Sequence, residues 1–182
     1  MSPETLDLFR EVSHRLRSPL ATVYGYASLL EAQADDGLVG PTELKDWARK
    51  IQSEAERMDA LIADLSRLRL AMSGELRLVP CDMRLMLDQA GGELEAGPPV
   101  TLLADHKLLA RALYHLLMRC GSAHIQLRDN TSAVQLDIRL TQPWREPAQT
   151  DVWWQLTRAA FAAHNGTLAA ANGGLRLELP RP

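Results

Sequence analysis

The 182-residue chain is 46% apolar and 24% charged with a formal net charge of −3, a globular balance with room for one medium domain or two small ones. Like charges form no block, which argues against the basic patch of a nucleic-acid binder, and no apolar run approaches the ~18 residues of a membrane span. The acidic start MSPETLDLFR is no secretory signal, and the distant Cys81 and Cys120 suggest a reducing compartment rather than a disulfide framework or zinc site. The expected setting is therefore cytoplasmic, and the start at Met1 reads as that of a stand-alone protein.

In chain order, residues 1–73 read as a helical hairpin. Leu6, Phe9, Ser13, Leu16, Leu20, Val23, Ala27 and Leu30 follow an alternating 3,4 spacing. A second run has the same spacing: Leu44, Trp47, Ile51, Glu54, Met58, Leu61, Leu65, Leu68 and Met72. Heptads of this kind form coiled-coil or four-helix-bundle seams. The turn ADDGLVGPTE separates them, with Thr42 as expected cap of the second helix. Ala48, Ala55 and Ile62 add a second apolar line, wider than one partner helix needs. Two hairpins packed as a dimeric four-helix bundle satisfy that width, so a homodimer is expected. The alternative is that the rest of the chain covers this face.

Residues 74–182 change grammar. ELRLVP alternates like a strand, DMRLMLDQAGGEL is helical, and AGPPVTLLA is a turn and a short strand. DHKLLARALYHLLMRC is an apolar helix, and HIQLRDNTSAVQLDIRLT reads as two strands around an Asp-Asn turn. TDVWWQLTRAAFAAHNG is a last helix with Gly166 just past its end, and TLAAANGGLRLELP is a closing hairpin. Strands in adjacent pairs predict an α+β sandwich, with helices on one face of a largely antiparallel sheet.

The chemistry centres on FREVSHRLRSPL, Phe9 to Leu20. His14 is predicted at the solvent-facing edge of the first helix, where a neutral imidazole is a competent nucleophile. Pro19 withholds an N–H from the Arg15 carbonyl, so the helix should loosen or bend beside His14. By position alone, a solvated histidine near a tolerated kink explains the stretch better.

The same residues resemble the H-box of two-component sensor histidine kinases, F-x-x-x-x-S-H-E-L-R-T-P-L. Phe9, Ser13, His14, Leu16, Arg17, Pro19 and Leu20 match, and Ser18 replaces Thr. The resemblance implies that His14 is the phosphoacceptor on the first helix of a dimerising hairpin. It also implies a role for Ser18 at the position that orients water in phosphatase-competent kinases. Arg15 departs from the pattern: it stands where Glu or Asp helps to activate the imidazole. A guanidinium cannot accept a proton, but it can neutralise an incoming phosphoryl group.

Residues 74–182 resemble the ATP-binding domain of the same family, a Bergerat-type α/β sandwich, in degenerate form. Its two N-box asparagines fall on His115 and Arg119, and Arg119 has no lone pair for Mg²⁺. Ser122 to Asn165 contains no glycine, so the phosphate-cradling loops are missing, and the segment before the last helix is too short for a nucleotide lid. No cofactor is therefore expected. His115 reads as a packed residue, His106 and His124 as solvated, and His164 as a helix-terminal cation. Trp153 and Trp154 are expected to pack the last helix on the sheet.

The reading this supports is a histidine phosphotransferase. His14 takes a phosphoryl group from a receiver-domain phosphoaspartate, the receiver supplying its own Mg²⁺, and passes it on. The implied partners are response-regulator receiver domains, with a hybrid histidine kinase as a further candidate. The alternative is a dimeric pseudokinase adaptor that binds a response regulator or kinase without transfer.

Overall fold

The computed structural model describes residues 3–36, 40–94, 97–121, 123–142, 144–148, 151–171 and 173–181. The glycine turn expected at 37–39 and Asn172 of the closing hairpin lie outside them. The chain divides into two compact units, Met1–Leu65 and Ser66–Pro182.

The first unit is built from α1 (Pro3–Asp36) and most of α2 (Pro41–Ser73). Helix α1 continues without interruption through Pro19, where a loosening or bend was expected. Its half-buried face is Val12, Leu16, Pro19, Val23, Tyr26, Leu30 and Gln33. Leu16, Val23 and Leu30 belong to the predicted seam, whereas Ser13, Leu20 and Ala27 are exposed. The seam is thus one residue out at alternate positions. An apolar arc this wide admits two heptad registers, and the structure uses the one that shelters the larger Val12 and Tyr26. In α2, Trp47, Ile51, Glu54 and Met58 are half-buried and Leu61 and Leu68 buried, as the spacing predicts. Ala48, Ala55 and Ile62 are exposed. Thr42 is not the cap: α2 starts at Pro41, and the Gly40 carbonyl accepts from Glu43 N and Leu44 N at 3.1 and 3.2 Å. Proline at the first helical position has its φ preset and no N–H to leave unpaired, which fixes the start two residues early.

The second unit places a five-stranded sheet, order β2-β4-β5-β7-β6, beside a two-stranded one, β1-β3. The first strand, β1 (Val79–Asp82), lies four residues later than ELRLVP suggested. Its antiparallel register sets Cys81 against Leu102 of β3 (Thr101–Ala104), and both are buried. Asp82 then caps α3 (Met83–Gln89) by accepting from Arg84 N at 2.9 Å. A two-residue strand that the sequence did not reveal, β2 (Glu93–Leu94), pairs in parallel with β4 (Ala123–Asp129). The β4–β5 hairpin, β5 being Ala133–Leu140, and the β6–β7 hairpin (Thr167–Ala171, Gly174–Pro180) are antiparallel, as expected.

Alternation sorts the sheet faces. Val134, Leu136 and Ile138 of β5 and Leu175, Leu177 and Leu179 of β7 are buried. They share one core with Met86 and Leu87 of α3, with Leu109, Leu113 and Leu116 of α4 (His106–Cys120), and with Trp154 and Phe161 of α5 (Val152–Ala163). All three helices therefore cover one face. The other face is polar: Arg176 Nε donates to its cross-strand partner Asp137 at 2.7 Å. That bond holds the Asp137 carboxyl below its usual range, against the opposing effect of burial.

Helix α5 ends differently from the prediction. Gly166 is not the left-handed residue; Asn165 is, at φ 55°. Asn165 N donates to the Ala162 carbonyl at 2.9 Å and Gly166 N to the Phe161 carbonyl at 2.8 Å, the two bonds of a Schellman end. Glycine at 166 answers a different need, since a Cβ there would stand 2.7 Å from the Glu178 carbonyl oxygen.

Candidate functional site

Residues three and four apart share a helix face, and His14, Arg17 and Ser18 are so spaced on α1. All three are exposed, as are Arg10 one turn earlier and Ala21 one turn later. Among the described residues His14 makes no hydrogen bond, ion pair or ring contact, so its ring is open to a partner. The Ser18 carbonyl accepts from Thr22 Oγ1 at 3.3 Å. The structure brings three of the four expected residues together and sets Arg15 apart. Arg15 is half-buried about 100° further round the helix, and its Nε donates to Glu11 Oε1 at 2.7 Å.

Glu11, the partner of Arg15, was not among the residues expected at the site. Its signal was available as a glutamate four residues before an arginine, the favourable orientation of a helical ion pair.

In the second unit, the two N-box positions are engaged by the protein's own side chains. The His115 ring is stacked on Trp153, with centroids 4.3 Å apart and planes 9° apart, and meets Tyr114 edge-on at 5.4 Å. Arg119 pairs with Asp151. Asp151 also caps α5 by accepting from Trp154 N at 3.0 Å. Trp153 therefore packs on α4, not on the sheet, while Trp154 is buried beside Trp144. A cation already paired with a carboxylate and an imidazole covered by an indole do not fit a Mg²⁺-nucleotide.

His164 differs from expectation. It is buried, its Nε2 accepts from the Asp105 backbone N–H at 2.8 Å, and its Nδ1 lies 2.7 Å from the Ala160 carbonyl. Accepting at Nε2 and donating at Nδ1 needs the neutral ring, so His164 joins the start of α4 to the end of α5 and is no terminal cation. His106 and His124 are exposed, as expected. Burial pushes the Cys120 thiol up to about 11, with Arg119 opposing, which leaves it a weak nucleophile. Among the described residues no cluster of three or more His, Cys, Asp or Glu side chains could hold a metal ion, and no helix is long and apolar enough to cross a membrane.

The exposed histidine thus lies on the first of two long helices, and these precede a unit of three helices, a five-stranded sheet and a two-stranded one. Residues 5–71 match the His Kinase A (phospho-acceptor) domain. Over a wider span the chain is similar to two-component sensor histidine kinases. It is 26% identical to the Probable sensor histidine kinase TcrY of Mycobacterium tuberculosis, over 89% of this chain and 42% of that protein. It spans less than half the length of the curated relatives it matches. Its fold is similar to Acinetobacter baumannii histidine kinase AdeS, with a TM-score of 0.66 at 19% identity over 92% of this chain and 97% of that one. It is also similar to histidine kinase ThkA, solved in complex with the response regulator protein TrrA. There the TM-score is 0.50 at 13% identity, over 96% of this chain and 61% of that one.

Proposed function

We propose that the protein is a cytoplasmic histidine phosphotransferase, with His14 carrying a phosphoryl group between receiver-domain aspartates without binding ATP. One observation carries this reading: His14 stands exposed beside Arg10 and Arg17, while the nucleotide positions of the second unit are occupied by Trp153 and Asp151. Residues 1–73 then form the phosphotransfer and dimerisation domain. Residues 74–182 form a degenerate domain that supports docking. The receiver brings the phosphoaspartate and its Mg²⁺, so this chain has only to present a neutral, exposed imidazole in line with phosphorus. Arg17 balances the charge of the incoming phosphoryl oxygens, and the Ser18 hydroxyl lies on the same face. That ThkA is seen with a response regulator supports a receiver as the partner.

Two lines of side chains support the dimer. Ser13, Leu20 and Ala27 each stand one residue after a half-buried position of α1; in α2, Ala48 and Ala55 follow half-buried positions and Ile62 follows the buried Leu61. One residue is a 100° turn in the same sense, and in antiparallel facing helices equal turns bring both lines to the same side of the hairpin. Leu20 is 44% and Ile62 53% exposed there, an apolar strip suited to a second copy. A Leu20→Glu/Ile62→Glu variant is expected to sediment at half the mass of the wild type. An unchanged mass would place the dimer elsewhere.

The function is tested by incubating the protein with phosphorylated receivers and following the label. Label is expected on the protein, and titration with Mg-ATP in a calorimeter is expected to give no saturable heat. A receiver that binds but never transfers would establish the adaptor instead. Saturable Mg-ATP binding would overturn the account of the second unit.

A further inference from the structure

Between Phe9 and Glu31 the chain has a single acidic residue, Glu11, against three arginines. Glu11 precedes His14 by three residues and Arg15 by four. Residues three apart on a helix have Cβ atoms roughly 5–6 Å apart. Helical side chains lean toward the N-terminus, so the His14 imidazole reaches back over the turn that carries Arg10 and Glu11. Arg15 Nε fixes Glu11 Oε1 at 2.7 Å, and a carboxylate has about four lone-pair sites, enough for a second donor. The residue after His14 cannot serve as an acid, but an acid stands one turn earlier, tethered by the arginine that replaced it.

We infer that Glu11 is the positioning residue for His14, with Arg15 as its tether; the inference rests on the phosphotransferase reading above. By rotation of its exposed side chain, His14 donates Nδ1–H to Glu11, which fixes the tautomer that keeps the lone pair on Nε2. In transfer, that lone pair forms the N–P bond as the acyl-phosphate P–O bond breaks, and the bonding pair leaves on the receiver's aspartate carboxylate. The ring then holds phosphorus at Nε2 and a proton at Nδ1. Glu11 opposes the positive charge this creates.

Two readouts test the assignment on the full chain. Nitrogen-15 shifts of His14, assigned against a His14→Gln sample, report its tautomer. Label transfer from a phosphorylated receiver reports its rate. Glu11→Gln is expected to move the tautomer away from Nδ1–H. It is also expected to slow transfer on the order of tenfold, less than the ~10²–10⁴ of direct proton transfer because Glu11 orients the ring and does not exchange the proton. Glu11→Gln/Arg15→Glu is expected to restore both, since an acid again neighbours His14 although the Glu11–Arg15 pair is absent. An unchanged tautomer in Glu11→Gln overturns the inference. So does slowed transfer that the double variant fails to rescue, which would reduce the pair to helix support. If wild type takes no label from any receiver, the proposed function fails, and the tautomer comparison still decides the role of Glu11.

Discussion

On the proposed phosphotransferase function, a His14→Gln variant is expected to take no label from a phosphorylated receiver, while binding that receiver and melting as the wild type does. Glutamine keeps a polar side chain of similar reach, but its amide nitrogen has no lone pair to offer phosphorus. His14 is exposed and makes no hydrogen bond among the described residues, so the substitution is expected to change stability by less than about 0.5 kcal/mol. Loss of transfer would therefore be chemical and not structural. The expected fall is at least about 10³-fold, to the assay floor, because the reaction loses its nucleophile and not merely its orientation. Ser18 is not expected to substitute, since the described residues that share its face, Arg10, Arg17 and Ala21, offer its hydroxyl no base. Residual transfer at a tenth of the wild-type rate would move the acceptor elsewhere, and the exposed His106 and His124 would be examined next.

Most of the fold was legible because its periodicities are long. Two long runs in 3,4 spacing, Leu6–Leu30 and Leu44–Met72, became α1 and α2, and the alternation in VQLDIRL and LRLEL became β5 and β7. The misses are local and have local causes. ELRLVP alternates, but the strand is set by where Cys81 finds Leu102 on β3, a pairing more than twenty residues distant. Strand β2 is too short to show a period. Gly166 looked like a helix terminator, yet Asn165 takes the left-handed turn, and the constraint on Gly166 comes from β7 across the end of α5. Site legibility divides in the same way. The one-turn spacing of His14, Arg17 and Ser18 reads directly from the sequence, whereas Arg15 was judged by what it replaced and not by its partner Glu11. The role of His164 could not be read locally at all, since it depends on the backbone N–H of Asp105, fifty-nine residues away.

The largest stability loss is expected from Phe161→Ala. Phe161 is 1% exposed, in the core that joins α3, α4 and α5 to β5 and β7. Removing a buried phenylalanine ring forfeits its transfer free energy and leaves a cavity, together about 3–5 kcal/mol. That is a large share of the ~5–15 kcal/mol that holds a typical domain folded, and corresponds to a fall in melting temperature on the order of 10 °C. The position matters as well as the volume. Phe161 lies in the last turn of α5, its carbonyl receives Gly166 N–H at 2.8 Å, and His164, three residues on, is bound to Asp105 at the start of α4. A cavity beneath this corner therefore loosens the helix end and its link to α4 together. His164→Ala, which leaves the Asp105 N–H without that acceptor, is expected to cost less, about 1–3 kcal/mol. The order of the two losses is the decisive measurement: a Phe161→Ala loss smaller than that of His164→Ala would mean that the polar link, and not the shared apolar core, holds α5 in place.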